Sequence, residues 1–562
     1  MHVQCSTVNR KGKVSRNRKL VESYRDPVSK QPRTRTVQKV EKLPIVERAQ
    51  AIYDHGGKKY LTPEEWIALN DLGLLSGQEI RYEIGDLYRG AGTAVAFRHM
   101  RESGMFKVLD KHLSRSGFDV IKELIINQLI NPKSKIQFTQ HRKNSLLYLI
   151  GGKREYKEDK VYLALDELAL QIEGIKSDLT GQLDSESDHG NLLLYDLSNS
   201  YFTGTKAELG GRGDSKEKRH DRYIVTYGLV MNAQNMPLDI RIWKGGTADA
   251  NTVLDTFSEW KKRYKASQAI WIADRSMSGE PTLEDIKKLD LNYITGLPGN
   301  TQQAVLLIKQ EQQPELFDKT GITSFEYEGK RYILCRHDSK GYRNQIQSAK
   351  RRRKAYDQLK LIQNTIQNKN DKKLYHRAMR ALEKYEQTAF WDIQINQYPG
   401  KKGEDRYKLN FRFNRKAAIA HDKIGHYYVL HTDLEEEQIT NDQVVENYKS
   451  LIQVERSFRD IKSQINIRPI RHRKSRRIKT HIYLCYLSLW LSKYIENKWR
   501  ETGVFTEVGQ TLANWDDVLR MCETIDGNGN MIETKWNKGA NARATMKSIK
   551  DYGEAVAVNT YS

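Results

Sequence analysis

The chain has 562 residues, far more than one hydrophobic core needs, so several domains are expected. Hydrophobic residues make up 38% and charged residues 29%, with 30 Tyr and 9 Trp, which excludes a generally disordered chain. Lys and Arg number 94 against 71 Asp and Glu; a net charge of +23 calls for a polyanion, with DNA or RNA first and an anionic membrane surface as the competitor.

No apolar run approaches the ~20 residues that span a bilayer, and the N-terminus lacks the apolar stretch of a secretion signal. A cytoplasmic protein with no membrane partner is expected. The four cysteines, Cys5, Cys335, Cys485 and Cys522, include no C-x-x-C pair, which argues against a zinc knuckle or a disulfide framework.

Residues 1–45 are polar and basic: 12 Lys/Arg against Glu22, Asp26 and Glu41 over the first 42 residues. They read as a basic mobile arm, either a solvated tail or a phosphate-contacting segment. Residues 46–185 read as a helical N-terminal domain. Thr62-Pro63-Glu64-Glu65 opens one helix with a hydroxyl cap, an early proline and acids at the positive end. `GTAVAFRHMRESGMFKVLDKHL` and `FDVIKELIINQLIN` carry apolar residues at helical spacing. This domain suits end-DNA binding or plain scaffold, and no helix-turn-helix pattern singles out a recognition helix.

From about residue 190 the period changes to that of strands. `NLLLYDLSNSYFTG`, `RYIVTYGLVMN` and `MPLDIRIWKGG` predict three strands of an antiparallel meander, with Ala233-Gln234-Asn235 as a turn. `DANTVLDTFSEWKKRY` is an amphipathic helix, `SQAIWIAD` a short buried strand, `TLEDIKKLD` a helix and `LNYITGLPG` a fifth strand. Three strands, helix, strand, helix, strand is the order of an RNase H-like α/β core with a mixed five-stranded sheet and flanking helices. Its first part is expected over 186–300. Residues 301–440 read as a large α+β insertion domain, with a basic helical hairpin followed by strands. Residues 441–500 return to the core: a long helix over 443–464, a basic loop, and a helix near 478–499 that is apolar on most sides and so buried. Residues 501–562 are Gly/Asn-rich and read as a C-terminal tail.

Phosphoryl transfer on nucleic acid uses divalent cations ~3.5–4 Å apart, held by carboxylates. Asp196 sits within an apolar strand, where an unpaired carboxylate is costly. Asp274 ends a buried strand. Alone, each reads more readily as a turn or capping acid; on two neighbouring strands they read as a pair of ligands. Glu455 is the third acid, on the helix after the insertion. Tyr448, Glu455 and Lys462 recur every seven residues and so share a helix face, with Arg459 close by. Leu451, Phe458, Ile461 and Ile465 form the apolar stripe that docks this helix. Asp221, Asp239 and Asp249 are weaker candidates, the last as a helix cap. Residues 466–480 hold seven basic residues and no acid (Arg468, Arg471, Arg473, Lys474, Arg476, Arg477 and Lys479), which favours contact with a DNA backbone over a solvated face.

`YKSLIQVERSFRDIKS` resembles the Tyr-Arg-Glu-Lys (YREK) signature of the transposases of bacterial insertion sequences. The matching positions are Tyr448, Glu455 and Lys462; the signature Arg is replaced by Leu451, so its phosphate contact would come from elsewhere, such as Lys449 or Arg459. `YDLSNSYF`, `SKEKRHDRYIVTYGLVMNAQNMPL`, `WIADRSMSG`, `IINQLINPKSK` and `INIRPIRHRKSRRIKTHIYLCYL` resemble further segments of that family, over roughly residues 120–490. The resemblance implies an Asp196–Asp274–Glu455 catalytic set. It implies two Mg²⁺ ions, with Mn²⁺ as a substitute, and Tyr448 and Lys462 on the phosphates of the element ends. It also implies a homodimer on double-stranded DNA in the nucleoid. Two rivals stand beside it: a repurposed DNA-binding protein, disfavoured by the presence of all three acids, and a nuclease of RNA–DNA hybrids, disfavoured by the basic insertion and the long Glu455 helix.

Overall fold

The computed structural model describes residues 1–10, 13–27, 29–71, 83–184, 192–264, 269–317, 321–364, 370–399, 405–525, 531–536 and 540–554. The chain divides into two compact units. One comprises Met1–Asp110, Ser114–Ala164 and Tyr494–Ser562; the other comprises Lys111–Leu113 and Leu165–Lys493.

The larger unit is built on a mixed sheet. Strands β1 (Leu192–Tyr201), β2 (Ile224–Met231) and β3 (Pro237–Lys244) form the expected meander. The β2–β3 turn closes through Asn235, whose φ of 62° an asparagine tolerates. Strand β4 (Ile270–Ala273) lies parallel to β1, and β5 (Asn292–Gly296) parallel to β4. The connecting helices Asp249–Tyr264 and Glu280–Lys288 cover one face. Their Val253, Phe257, Trp260, Leu283 and Ile286 pack on Leu193, Tyr195, Leu197, Trp271 and Ala273. Burial on both faces is why β4 reads as a continuous apolar run rather than an alternating one.

The region from 301 to 440 does not stand apart from this sheet as a separate insertion. Its strands β6 (Ile322–Tyr327), β7 (Lys330–Arg336) and β10 (Tyr427–Thr432) join it, giving eight strands in the order β6-β7-β10-β5-β4-β1-β2-β3. The β6–β7 hairpin turns at Glu328 and Gly329, both at positive φ. Helices Asp338–Gln363 and Asp371–Lys384 and the hairpin of β8 (Trp391–Pro399) and β9 (Asp405–Phe413) build a small core of their own. It contains Ala355, Leu359, Leu374, Ala378, Leu382 and Leu409. β10 rejoins β5, so part of this segment is scaffold for the sheet.

The helix expected over 443–464 is two helices, Asn441–Lys449 and Leu451–Ser463, parted at Ser450. The first opens with a capping box between Thr440 and Gln443. Val454, Ser457, Phe458 and Ile461 bury the second against the sheet face opposite Tyr195, where Phe458 meets the Tyr227 ring edge-on at 5.8 Å. Helix Ser475–Glu501 buries Leu484, Cys485, Leu487 and Trp490, as its all-round apolarity predicts. No helix among the described residues is long and apolar enough to cross a membrane.

In the other unit, the segment expected as an arm forms an antiparallel sheet of His2–Arg10, Lys13–Arg25 and Pro32–Lys39. Few apolar residues are needed: Val3, Leu20 and Val40 meet Ala49, Ile52 and Leu69. Arg18 is buried between Glu41 and Glu65, 2.6 Å from each, so part of the basic charge is neutralised. Helix Pro63–Asp71 starts as predicted, with Thr62 and Glu65 bonded reciprocally. The described residues of the segment expected as a tail also form helices and strands. Strand Arg520–Ile525 pairs with Glu83–Arg89 and with Met531–Trp536. Helix Val508–Val518 lies so close to helix Ala91–Glu102 that a Cβ on Gly92 would stand 2.0 Å from the Leu512 carbonyl oxygen. Composition hides the strand Arg520–Ile525 and the helix Val508–Val518 because Glu83–Arg89 and Ala91–Glu102, on which they pack, lie far away along the chain.

Candidate active site

The parallel register of β1 and β4 sets Tyr195 beside Ala273, and each is followed by an acid. Pleating turns Tyr195 into the helix-covered core and Asp196 to the opposite face, on which the Glu455 helix packs. Asp274 is extended and caps the short turn Arg275–Met277, accepting the Arg275 N–H at 2.7 Å. Asp196 accepts the Leu197 N–H at 2.7 Å, and the Lys216 ammonium stands 3.6 Å from its carboxylate.

Burial pushes the Asp196 carboxyl above the ordinary range; Lys216 and the Leu197 N–H oppose the shift, and the charges of Asp274 and Glu455 add to it. Asp196 thus feels both other acids. All three line one cleft of about 1340 Å³, together with Lys216, Arg275, Gly296, Tyr448, Lys449 and Leu451. Gln302, Asn344, Arg351, Phe390 and His426 line the same cleft.

Tyr448 lies on the helix before the Ser450 break, so the seven-residue spacing to Glu455 crosses that break; both side chains still line the cleft. The Tyr448 hydroxyl lies against Gly296 at the end of β5, where a Cβ would stand 2.8 Å from it. Burial raises the phenol to about 12, with Asp274 and Glu455 adding and Arg275 opposing. At neutral pH it is a hydrogen-bond donor. Leu451, at the position of the signature Arg, is half-buried on the cleft wall. Of the two expected replacements, Lys449 lines the cleft, whereas Arg459 is exposed and does not.

Oxygen donors from three carboxylates suit a hard divalent cation, and the repulsion acting on Asp196 is what such a cation relieves. Among the described residues, however, no three or more Asp, Glu, His or Cys side chains stand as a ready-made ligand cluster. The acids share the cleft without closing on a common point.

The basic residues divide into two groups. Lys462 and Arg468 both pair with Glu217, Lys462 at 3.5 Å. Arg476 and Arg477 pair with Asp166 at 3.2 and 2.9 Å. The stretch 466–480, free of acids in sequence, is therefore partly compensated by acids distant along the chain. Arg471, Arg473 and Lys474 are exposed. Their loop is pinned beside the end of β1: the Ile470 N–H bonds the Tyr201 carbonyl, and the Glu208 N–H bonds that of Arg473.

None of the weaker acidic candidates lines the cleft. Asp221 is exposed and paired with Arg219 and Arg222. Asp239 is buried against Lys176 and Arg241. Asp249 starts its helix, as expected of a capping-region acid. Sequence reasoning missed Lys216, Arg275 and the side chains from 301–440. Only Arg275, next to Asp274, carried a local signal.

No curated protein matches the chain. Among solved structures, it is similar to a piggyBac transposase synaptic complex with hairpin DNA. The identity is 10%, the coverage 76% of each chain and the TM-score 0.34, too low to carry an argument. A family model described as Transposase DDE domain matches residues 192–491, the stretch that holds Asp196, Asp274 and Glu455. That match spans more than half of the chain, which therefore belongs to the DDE transposase family.

Proposed function

We propose that the chain is the transposase of a bacterial insertion sequence of the YREK group, with an RNase H-like core. It would cut and rejoin double-stranded DNA at the terminal inverted repeats of its element. The observation that most supports this is convergence: acids at 196, 274 and 455, far apart in sequence, line one cleft with Tyr448.

Asp196, Asp274 and Glu455 would hold two Mg²⁺ ions, for which Mn²⁺ substitutes. Bound there, the ions supply an activated oxygen nucleophile and offset charge on the leaving oxygen. Asp196 and Asp274 are fixed by backbone N–H bonds, whereas Glu455 reaches in from a docked helix. The Tyr448 hydroxyl, protonated at neutral pH, donates to a phosphate oxygen near the scissile bond. Lys449 and Arg275 take the phosphate contact that Leu451 cannot make. Lys462, Arg459, Arg468, Arg471, Arg473, Lys474, Arg476 and Arg477 track the flanking backbone. Water opens the phosphodiester to leave a 3′-hydroxyl, which then attacks a target phosphodiester with departure of its 3′-oxygen. A homodimer would hold the two ends at once. The helical part of 46–185 would contribute end binding.

Excision of a marked segment flanked by the element's own ends, in Mg²⁺, tests the reading. Wild type should excise, while Glu455→Gln should bind the ends and leave them intact. Binding by both with excision by neither would turn the assignment to a DNA-binding protein without catalysis.

A further inference from the structure

The turn at 214–218 presents opposite charges to the two halves of the site. Asn199 anchors it: its Nδ2–H donates to the Asp214 carbonyl at 3.0 Å, and its Oδ1 accepts the Lys216 N–H at 3.2 Å. The Lys218 N–H closes the turn on the Ser215 carbonyl at 2.8 Å. From this frame Lys216 points at Asp196, while the next side chain, Glu217, pairs with both Lys462 and Arg468. Glu217 and Lys462 are only 12% and 14% exposed, so the pair is largely withdrawn from solvent. Both cations meet the same oxygen, Oε1, so the carboxylate stands between a lysine and an arginine as a singly charged oxygen acceptor, the charge that a phosphate diester also carries.

We propose that Glu217 is a built-in substitute for a DNA phosphate: it occupies the anion site formed by Lys462 and Arg468 and must leave when DNA enters. The inference rests on the reading that these two cations contact DNA. Its departure needs only rotation about the side-chain bonds of Glu217, because the backbone of the turn is anchored independently through Asn199 and Ser215. The device keeps a largely buried lysine and a partly exposed arginine paired in the absence of DNA, where they would otherwise repel each other. It also costs affinity for DNA.

The test is binding of a labelled random-sequence duplex to the full chain without divalent metal, by fluorescence anisotropy over a range of salt concentrations. Glu217→Gln keeps the shape and removes the competing charge. It should bind at least roughly two- to fivefold tighter at ~0.15 M salt, the range of the more exposed of the two pairs, that with Arg468. Its dependence on salt should steepen by up to ~0.9 in the logarithmic slope. Glu217→Asp, which retracts the carboxylate, should fall between the two. The gain should vanish in a Lys462→Gln background. Equal or weaker binding by a folded Glu217→Gln protein would overturn the inference and make Glu217 a structural anchor. Absence of salt-dependent binding by the wild type would instead overturn the reading on which it rests.

Discussion

Gly296→Ala probes the proposed role of Tyr448 without touching an acid or a charge. Gly296 is not among the positive-φ residues, so its backbone accepts alanine. The added Cβ would stand 2.8 Å from the Tyr448 hydroxyl, where ordinary contact begins near 3.4 Å. The hydroxyl must retreat by about 0.6 Å, because β5 is held between β4 and β10 and the tyrosine is the freer partner. A misplacement of ~1 Å near the reacting centre costs ~10²-fold, so a loss of roughly tenfold in end cleavage is expected. The stability change should stay within ~1 kcal/mol, since one methyl is added against a side-chain tip. The assay is single-turnover cleavage of end DNA, with thermal melting as control. Tyr448→Phe removes the hydroxyl, so adding Gly296→Ala to it should cost much less than in the wild type. Unchanged cleavage in a normally stable Gly296→Ala protein would refute the positioning of substrate by Tyr448.

The Lys176–Asp239 pair is fully buried on both sides at 2.5 Å, and breaking a buried pair costs several kcal/mol. Lys176→Met should destabilise by ~3 kcal/mol, the low end because Asp239 keeps Arg241 and the Ile240 N–H; denaturant unfolding checks it, and a loss under ~1 kcal/mol would contradict it. Asp196 is held above its ordinary pKa chiefly by burial, so the fold favours its protonated form. The stability this contributes is present below the unfolded carboxylate range near ~4 and is lost as pH rises through the folded value. Asp196→Asn should therefore be more stable than wild type at pH ~7.5 in chelator, with the gap closing as pH falls towards ~4. The same variant should be inactive in strand cleavage. A gap that is absent at neutral pH, or that widens in acid, would contradict the sign of the shift.

The acids on the sheet were legible because their signals are local. An acid interrupting an apolar run within β1 at Asp196, and another closing the apolar run of β4 at Asp274, stand out whatever the rest of the chain does. The stripe through Phe458 and Ile461 docked the Glu455 helix for the same reason. The one-residue break at Ser450 was not legible, since its φ and ψ are nearly helical and no proline or glycine announces it. The N-terminal sheet escaped because its apolar residues are few and its strands bury Arg18 in ion pairs that no local pattern displays.

Sequence alone therefore determined the succession of the first five strands along the chain, three acids that line one cleft and the docking face of the Glu455 helix. Periodicity is a short-range property, and it marks those features wherever the chain folds. Tertiary structure alone decided which charges are spent and which remain. Glu217 pairs with Lys462 and Arg468, Asp166 pairs with Arg476 and Arg477, and Lys176 claims Asp239. It also decided that β6, β7 and β10 extend the central sheet. A count of charges along the chain sums them regardless of position. Their free energy depends on separations of a few ångströms and on burial, which exist only once distant segments have met.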